Sequence, residues 1–251
     1  MAYEPQAPRP RKLYILLDAN VTAGYYLSRS LRSPKARELI ANIFDAARSG
    51  QAEFFFYLPN FCVAEVFSVF MKHSFGSWNN HVKRTIDTRV YHQLVKQFQD
   101  DIHNGKFIYP YELSRYHVLG ISLVAPVDHY FRFYRGTKRT VVPMGTFDHL
   151  IISMGINLAH IHGRDNVIVV STDDRLLKIL GKCRTTIPKR TIERLKLDEA
   201  QKLTGRLFHP DTFPDGVNLK TATQRQLKRA FGVWPLPIGH VPAVYRWKRT
   251  N

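Results

Sequence analysis

Two apolar runs that each end in an acid constrain this chain more than any other feature. Leu13-Tyr14-Ile15-Leu16-Leu17 runs into Asp18, and Val167-Ile168-Val169-Val170 passes through Ser171 and Thr172 into Asp173 and Asp174. Continuous β-rich runs read as strands buried on both faces, the habit of parallel α/β sheets. Such sheets bind ligands beyond the carboxyl ends of their strands, so both acids are expected on that rim. The chain carries 37 Lys plus Arg against 20 Asp plus Glu, a formal net charge of +17. Acids gathered at one place in so basic a chain suggest a cation-binding centre inside a protein that binds polyanions.

The periodicity between and around these runs predicts alternating strands and helices. Residues 20–30 and 33–48 read as helices, the second with Ser33 as N-cap, Pro34 at its first position and Gly50 past its end. Residues 54–58 read as a strand and 59–72 as a helix whose stripe is Val63, Val66, Phe67 and Phe70. The patterns weaken between 73 and 143, where helices at 81–101 and 111–127 and a strand at 105–109 are the expectation. Thr146 is expected to cap a helix with Phe147, Leu150, Ile151, Met154 and Leu158 on its apolar face. A helix over 174–180, a short strand at 185–187 and a basic helix over 191–203 follow. This alternation implies a three-layer α/β/α sandwich around a mostly parallel sheet. The expected organisation is a disordered lead over 1–10, a main domain over 11–188 with a helical insertion at about 76–143, and a basic, Pro-rich, irregular extension over 189–251.

With 251 residues and 44% hydrophobic composition, the chain has material for one sizeable core. No stretch approaches the roughly 18 apolar residues of a membrane span, and residues 1–11 lack the apolar core of a signal peptide. A soluble, cytoplasmic protein without membrane partners is therefore expected. Cys62 and Cys183 form no CxxC or Cys/His cluster and read as reduced packing residues. His160 and His162 stand two apart, without a partner at zinc-site spacing. A phosphate-binding P-loop and a dinucleotide glycine fingerprint are both absent from the sequence.

Four segments together resemble the signatures of the PIN-domain nucleases, with VapC-type toxins as the nearest members. They are Ile15-Leu16-Leu17-Asp18-Ala19-Asn20, Leu58-Pro59-Asn60 through Ala64-Glu65-Val66, Phe147-Asp148-His149-Leu150-Ile151 through Ala159, and Ser171-Thr172-Asp173 with Leu176. They occur in the family's order and cover about residues 11–188. The resemblance implies a metal-dependent endoribonuclease with one acidic pocket, in which Asp18, Glu65, Asp148 and Asp173 are catalytic and ligate Mg²⁺ or Mn²⁺. It also implies 5′-phosphate and 3′-hydroxyl products, an antitoxin protein as partner if the chain is a toxin, and pairing into a homodimer. The chain is longer than compact members of the family, so the segment between Glu65 and Asp148 and everything past Pro188 are additions.

The chemistry asks for such residues independently. Hard divalent cations prefer oxygen ligands, and hydrolysis of a phosphodiester needs an activated water and neutralised charge. Carboxylates crowded together raise one another's pKa, so the cluster is costly without a cation. Each acid also has an ordinary role open to it. Asp18 and Asp173 can cap the helices that follow, Asp148 can favour a helix dipole, and Glu65 can be a solvated helix residue. Asp174 competes with Asp173, although the family's spacing prefers Asp173. Asn20 either hydrogen-bonds a ligand carboxylate or metal-bound water, or caps a helix. Ser171 and Thr172 either orient Asp173 or end the strand.

Arg132, Arg135, Lys138 and Arg139, interleaved with aromatics, suit RNA, single-stranded or structured, whose bases stack on rings while phosphates meet cations. An amphipathic surface segment is the plainer reading. Two other functions remain open: a non-catalytic RNA-binding protein with this fold, and a phosphatase of the haloacid-dehalogenase kind. The latter would need a second Asp where Asn20 stands.

Overall fold

The computed structural model describes residues 12–27, 34–76, 86–103, 107–133, 143–184 and 213–237, leaving aside the side chains of 34–37 and 130–133. The apolar runs form strands β1 (Leu13–Leu17), β2 (Phe54–Pro59) and β4 (Val167–Ser171), joined by β3 (Ile108–Tyr111) and β5 (Asp215–Asn218). All five pair in parallel in the order β3-β2-β1-β4-β5. The helices among the described residues are α1 (Ala19–Tyr26), α2 (Pro34–Arg48), α3 (Asn60–Phe75), α4 (Thr88–His103), α5 (Arg115–Phe133), α6 (Thr146–His162), α7 (Asp174–Arg184) and α8 (Gln224–Phe231). The three-layer sandwich is thus the fold. Helices α1 to α4 cover one face, where Phe44 of α2 stacks on Phe56, and α5 to α7 cover the other.

Strand β4 is buried at every position, as its unbroken apolar run requires. Helix α6 lies close against it because position 155 is glycine: a Cβ there would stand 2.8 Å from Val169 Cγ2. An ion pair ties α2 to α4. Arg48 Nη2 meets Asp101 Oδ2, the same oxygen accepts from Tyr26 Oη at 2.6 Å, and the guanidinium lies 3.8 Å from the Phe107 ring centre.

Several expectations change. Strand β3 lies at 108–111 rather than 105–109, and α5 starts at Arg115 and runs on through Asp128. The stretch read as a helical insertion therefore supplies a strand of the central sheet. Residues 213–237, read above as part of an irregular extension, instead supply β5 and α8. Strand β5 has a single apolar side chain, Val217, so no alternation marks it in the sequence. Pairing with β4 makes it a strand, and Gly216 lets α7 approach, since a Cβ there would meet Leu177 Cδ2 at 2.8 Å. Phe213, Leu219, Leu227 and Leu236 then close the core. The expected strand at 185–187 and helix at 191–203 lie outside the described residues, as do residues 1–10. Among the described residues, no helix is long and apolar enough to cross a membrane.

Candidate active site

The strand order places a topological switch between β1 and β4. From β1 the chain winds outward through β2 to β3, then crosses back to β4 and continues to β5. Connections on the two sides of that point leave in opposite directions and open a crevice beyond the strand ends. Asp18 directly follows β1, and Asp173 stands two residues beyond β4. The backbone N–H of Asp18 donates to the Val170 carbonyl at 3.0 Å, which sets the two ends side by side.

Ser171 joins the acids across this point. Its hydroxyl donates to Asp18 Oδ2 at 2.7 Å and accepts from the Asp173 backbone N–H at 2.9 Å, and the residue is fully buried. Ser171 takes both roles open to it: it is the last residue of β4, and its hydroxyl orients the acids. Asp18 Oδ1 accepts from the Asn20 N–H at 3.4 Å, and Asp173 Oδ1 accepts from the N–H groups of Arg175 at 2.6 Å and Leu176 at 3.2 Å. Both acids therefore cap helices while keeping their carboxylates on the rim. The capping role and a place in the site coexist.

Asp148 lies in the first turn of α6, which starts at Thr146 with Gly145 in the cap position expected of Thr146. The Gly145 N–H donates to Asp148 Oδ2 at 3.2 Å. Glu65, half-buried on α3, completes the group. Asp174 departs from it: Asn218 Nδ2 donates to its Oδ1 at 2.5 Å, tying α7 to the end of β5.

Asp18, Glu65 and Asp148 are each shifted by burial and by the charge of neighbouring acids. Burial pushes the Asp18 carboxyl above the ordinary aspartate range; hydrogen bonds from Ser171 and Asn20 oppose this, and the charge of Asp173 adds to it. Burial raises Glu65 as well, and Asp18 and Asp148 raise it further. Asp148 is raised first by burial and then by Asp173 and Asp18, against the opposing Gly145 N–H. Among the described residues, no lysine or arginine forms an ion pair with any of the four. Also among the described residues, no three His, Cys, Asp or Glu groups converge closely enough to ligate one ion together.

No family model, curated protein or solved structure matches this chain.

Sequence reasoning missed a buried support beneath the rim. Asp128, on α5, accepts at Oδ2 from the Met144 N–H at 3.1 Å and at Oδ1 from Arg175 Nη2 at 3.4 Å, and His149 Nε2 stands 3.4 Å from the same Oδ2. One carboxylate thus joins α5, the entry to α6 and the start of α7, the helices that carry Asp148 and follow Asp173. The available signal was the helical spacing of His117, Gly120, Val124 and Val127, all buried, which places Asp128 on the same inward face. Cys62 sits beneath Glu65: burial pushes its thiol up, and the charges of Asp18 and Glu65 add to this.

Of the residues expected to contact RNA, Arg132 belongs to α5 with its side chain outside the described residues. Arg135, Lys138 and Arg139 lie wholly outside them. His162 stacks on Tyr14 at the entry to β1, with ring centres 3.6 Å apart, at the opposite end of α6 from Asp148.

Proposed function

We propose that the protein is a metal-dependent endoribonuclease that hydrolyses phosphodiester bonds of RNA, a PIN-like enzyme with Asp18, Glu65, Asp148 and Asp173 at its centre. The observation that carries this reading is the Ser171 bridge, which seats Asp18 and Asp173 together at the switch point, within electrostatic reach of Asp148 and Glu65. Structural economy does not favour acids there, because each raises the proton affinity of its neighbours. A site that holds a cation turns that repulsion into affinity.

The donors fit Mg²⁺ or Mn²⁺, which take hard oxygens. Mg²⁺ usually keeps several waters and takes only one or two protein carboxylates directly. Since no three of these groups converge among the described residues, the reading has the ion held by one or two carboxylates and its own waters. A divalent ion held there supplies charge neutralisation at the phosphodiester and makes a water acidic enough to attack. Ser171 fixes the rotamer of Asp18, the Asn20 amide favours its charged form, and the α7 cap holds Asp173 in place. The positive charge of the whole chain draws the RNA backbone toward a rim whose own acids would repel it.

The test incubates purified protein with mixed end-labelled RNAs in Mg²⁺, Mn²⁺ or EDTA, alongside Asp18→Asn and Asp148→Asn. Cleavage is expected with either metal and not with EDTA, leaving 5′-phosphate ends, and each substitution is expected to slow it by at least about a hundredfold. Cleavage that persists in both variants refutes the assignment. RNA binding that ignores EDTA, without cleavage in either metal, would instead establish the non-catalytic RNA-binding protein.

A further inference from the structure

Phe147 does not do what its spacing predicts. It belongs by periodicity to the apolar stripe of α6, yet it is 52% exposed, while Leu150, Ile151, Met154 and Leu158 on that stripe are buried. Its ring stacks on Phe61 of α3, with centres 5.0 Å apart and planes inclined by 19°. Each ring neighbours one of the acids along its own helix. Phe147 immediately precedes Asp148, and Phe61 lies one helical turn before Glu65, on the same side of α3. The N-termini of α3 and α6 thus hold an aromatic pair at the edge of the carboxylate group, with much of the Phe147 ring open to solvent.

We infer that Phe61 and Phe147 form a shelf on which one nucleobase of single-stranded nucleic acid stacks, beside the phosphodiester held at the acidic rim. This deepens the nuclease reading and rests on it. Charge complementarity selects the occupant: a chain of +17 attracts a polyanion, but the acids locally repel its phosphates. Anchoring the strand next to them calls for a contact that does not depend on charge. Aromatic stacking supplies it, and it tolerates any base because every base has a π-face. Only unpaired bases expose that face, so a single strand fits and a duplex does not.

The test measures binding without cleavage. In EDTA at low salt, fluorescence anisotropy follows a labelled oligouridylate and an abasic ribose-phosphate chain of equal length, with the full-length protein. Phe147→Ala is expected to weaken oligouridylate binding by about five- to hundredfold and leave abasic binding within about twofold. Phe61→Ala should act in the same direction, and Phe147→Trp should restore binding. Phe75→Ala, which removes a 62% exposed ring at the other end of α3, should change nothing. Equal affinity of the native protein for both chains overturns the inference, as does an equal loss on both in Phe147→Ala or a matching loss in Phe75→Ala. A change of oligomeric state in Phe147→Ala with oligouridylate binding intact also overturns it, by assigning the rings to a protein contact. The two readings fail separately: absent cleavage with the base-selective loss intact removes the nuclease alone, and metal-dependent cleavage without that loss removes the shelf alone.

Discussion

At the scale of single residues, the site is held in a state that costs folding energy. Asp18, Glu65 and Asp148 all have folded-state pKa values raised above their ordinary ones, mainly by burial. The sign follows from proton linkage. A raised acid binds protons more tightly when folded, so its contribution to stability is fully present below the unfolded-state pKa. That contribution is lost as pH rises through the folded-state value. Without divalent cation, the protein is therefore expected to lose stability as pH climbs from just below the ordinary carboxylate range to somewhat above it. Asp148→Asn removes one of the repelling charges while its amide oxygen still accepts from Gly145. Removing an unfavourable charge is worth about 1 kcal/mol, so melting in EDTA at neutral pH should rise by about 2–4 °C. The gain should vanish in acid, where the native carboxyl is protonated. Thermal melts across pH for both proteins check this, and a lower melting temperature for the variant at neutral pH would contradict it. Added Mn²⁺ should stabilise the native protein more than the variant, because ligand that binds only the folded state adds its binding energy.

At the scale of elements, the site depends on how closely helices approach the sheet. Helix α6 carries Asp148 at its first turn, and Gly155, two turns on, sets its distance from β4. Replacing Gly155 by Ala improves helix propensity by about 1 kcal/mol. The new methyl would nevertheless meet the stiff Val169 side chain at 2.8 Å and Leu16 at 3.6 Å. Overpacking of this kind costs about 1–3 kcal/mol, so urea denaturation should show a net loss of stability. A more stable variant would show that α6 has room to shift. Asp128 works at this scale too: one carboxylate fastened to Met144, with Arg175 and His149 beside it, fixes how α5, α6 and α7 meet.

At the scale of the whole molecule, the C-terminal segment is structural rather than appended. Strand β5 pairs along its whole length with residues 168–171 of β4, the Leu219 N–H donates to the Ser171 carbonyl at 3.1 Å, and the Leu236 N–H donates to Asn42 Oδ1 at 3.0 Å, far away on α2. Removing residues 213–251 would strip a neighbour from a fully buried strand and uncover Val170, Leu177 and Leu180. The truncated protein is expected to lose cooperative melting by circular dichroism, and a sharp transition near that of the full chain would refute this. The segment also stands behind the site, since Ser171 is held from one side by β1 and from the other by β5.

What the sequence determined by itself was the pattern that is local in the chain. Unbroken apolar runs required buried parallel strands at 13–17 and 167–170, and acids directly after them had to emerge on one rim. Helical spacing likewise placed Glu65 and Asp148 on α3 and α6. Only the tertiary structure decided what depends on a neighbour distant in sequence. Asp215-Gly216-Val217-Asn218 became a strand because β4 offered it an edge, Ser171 became a bridge because Asp18 lies 153 residues away, and Phe147 left its stripe for Phe61. Periodicity records which way a side chain points on its own element, whereas the partner it finds there is set by how the elements pack.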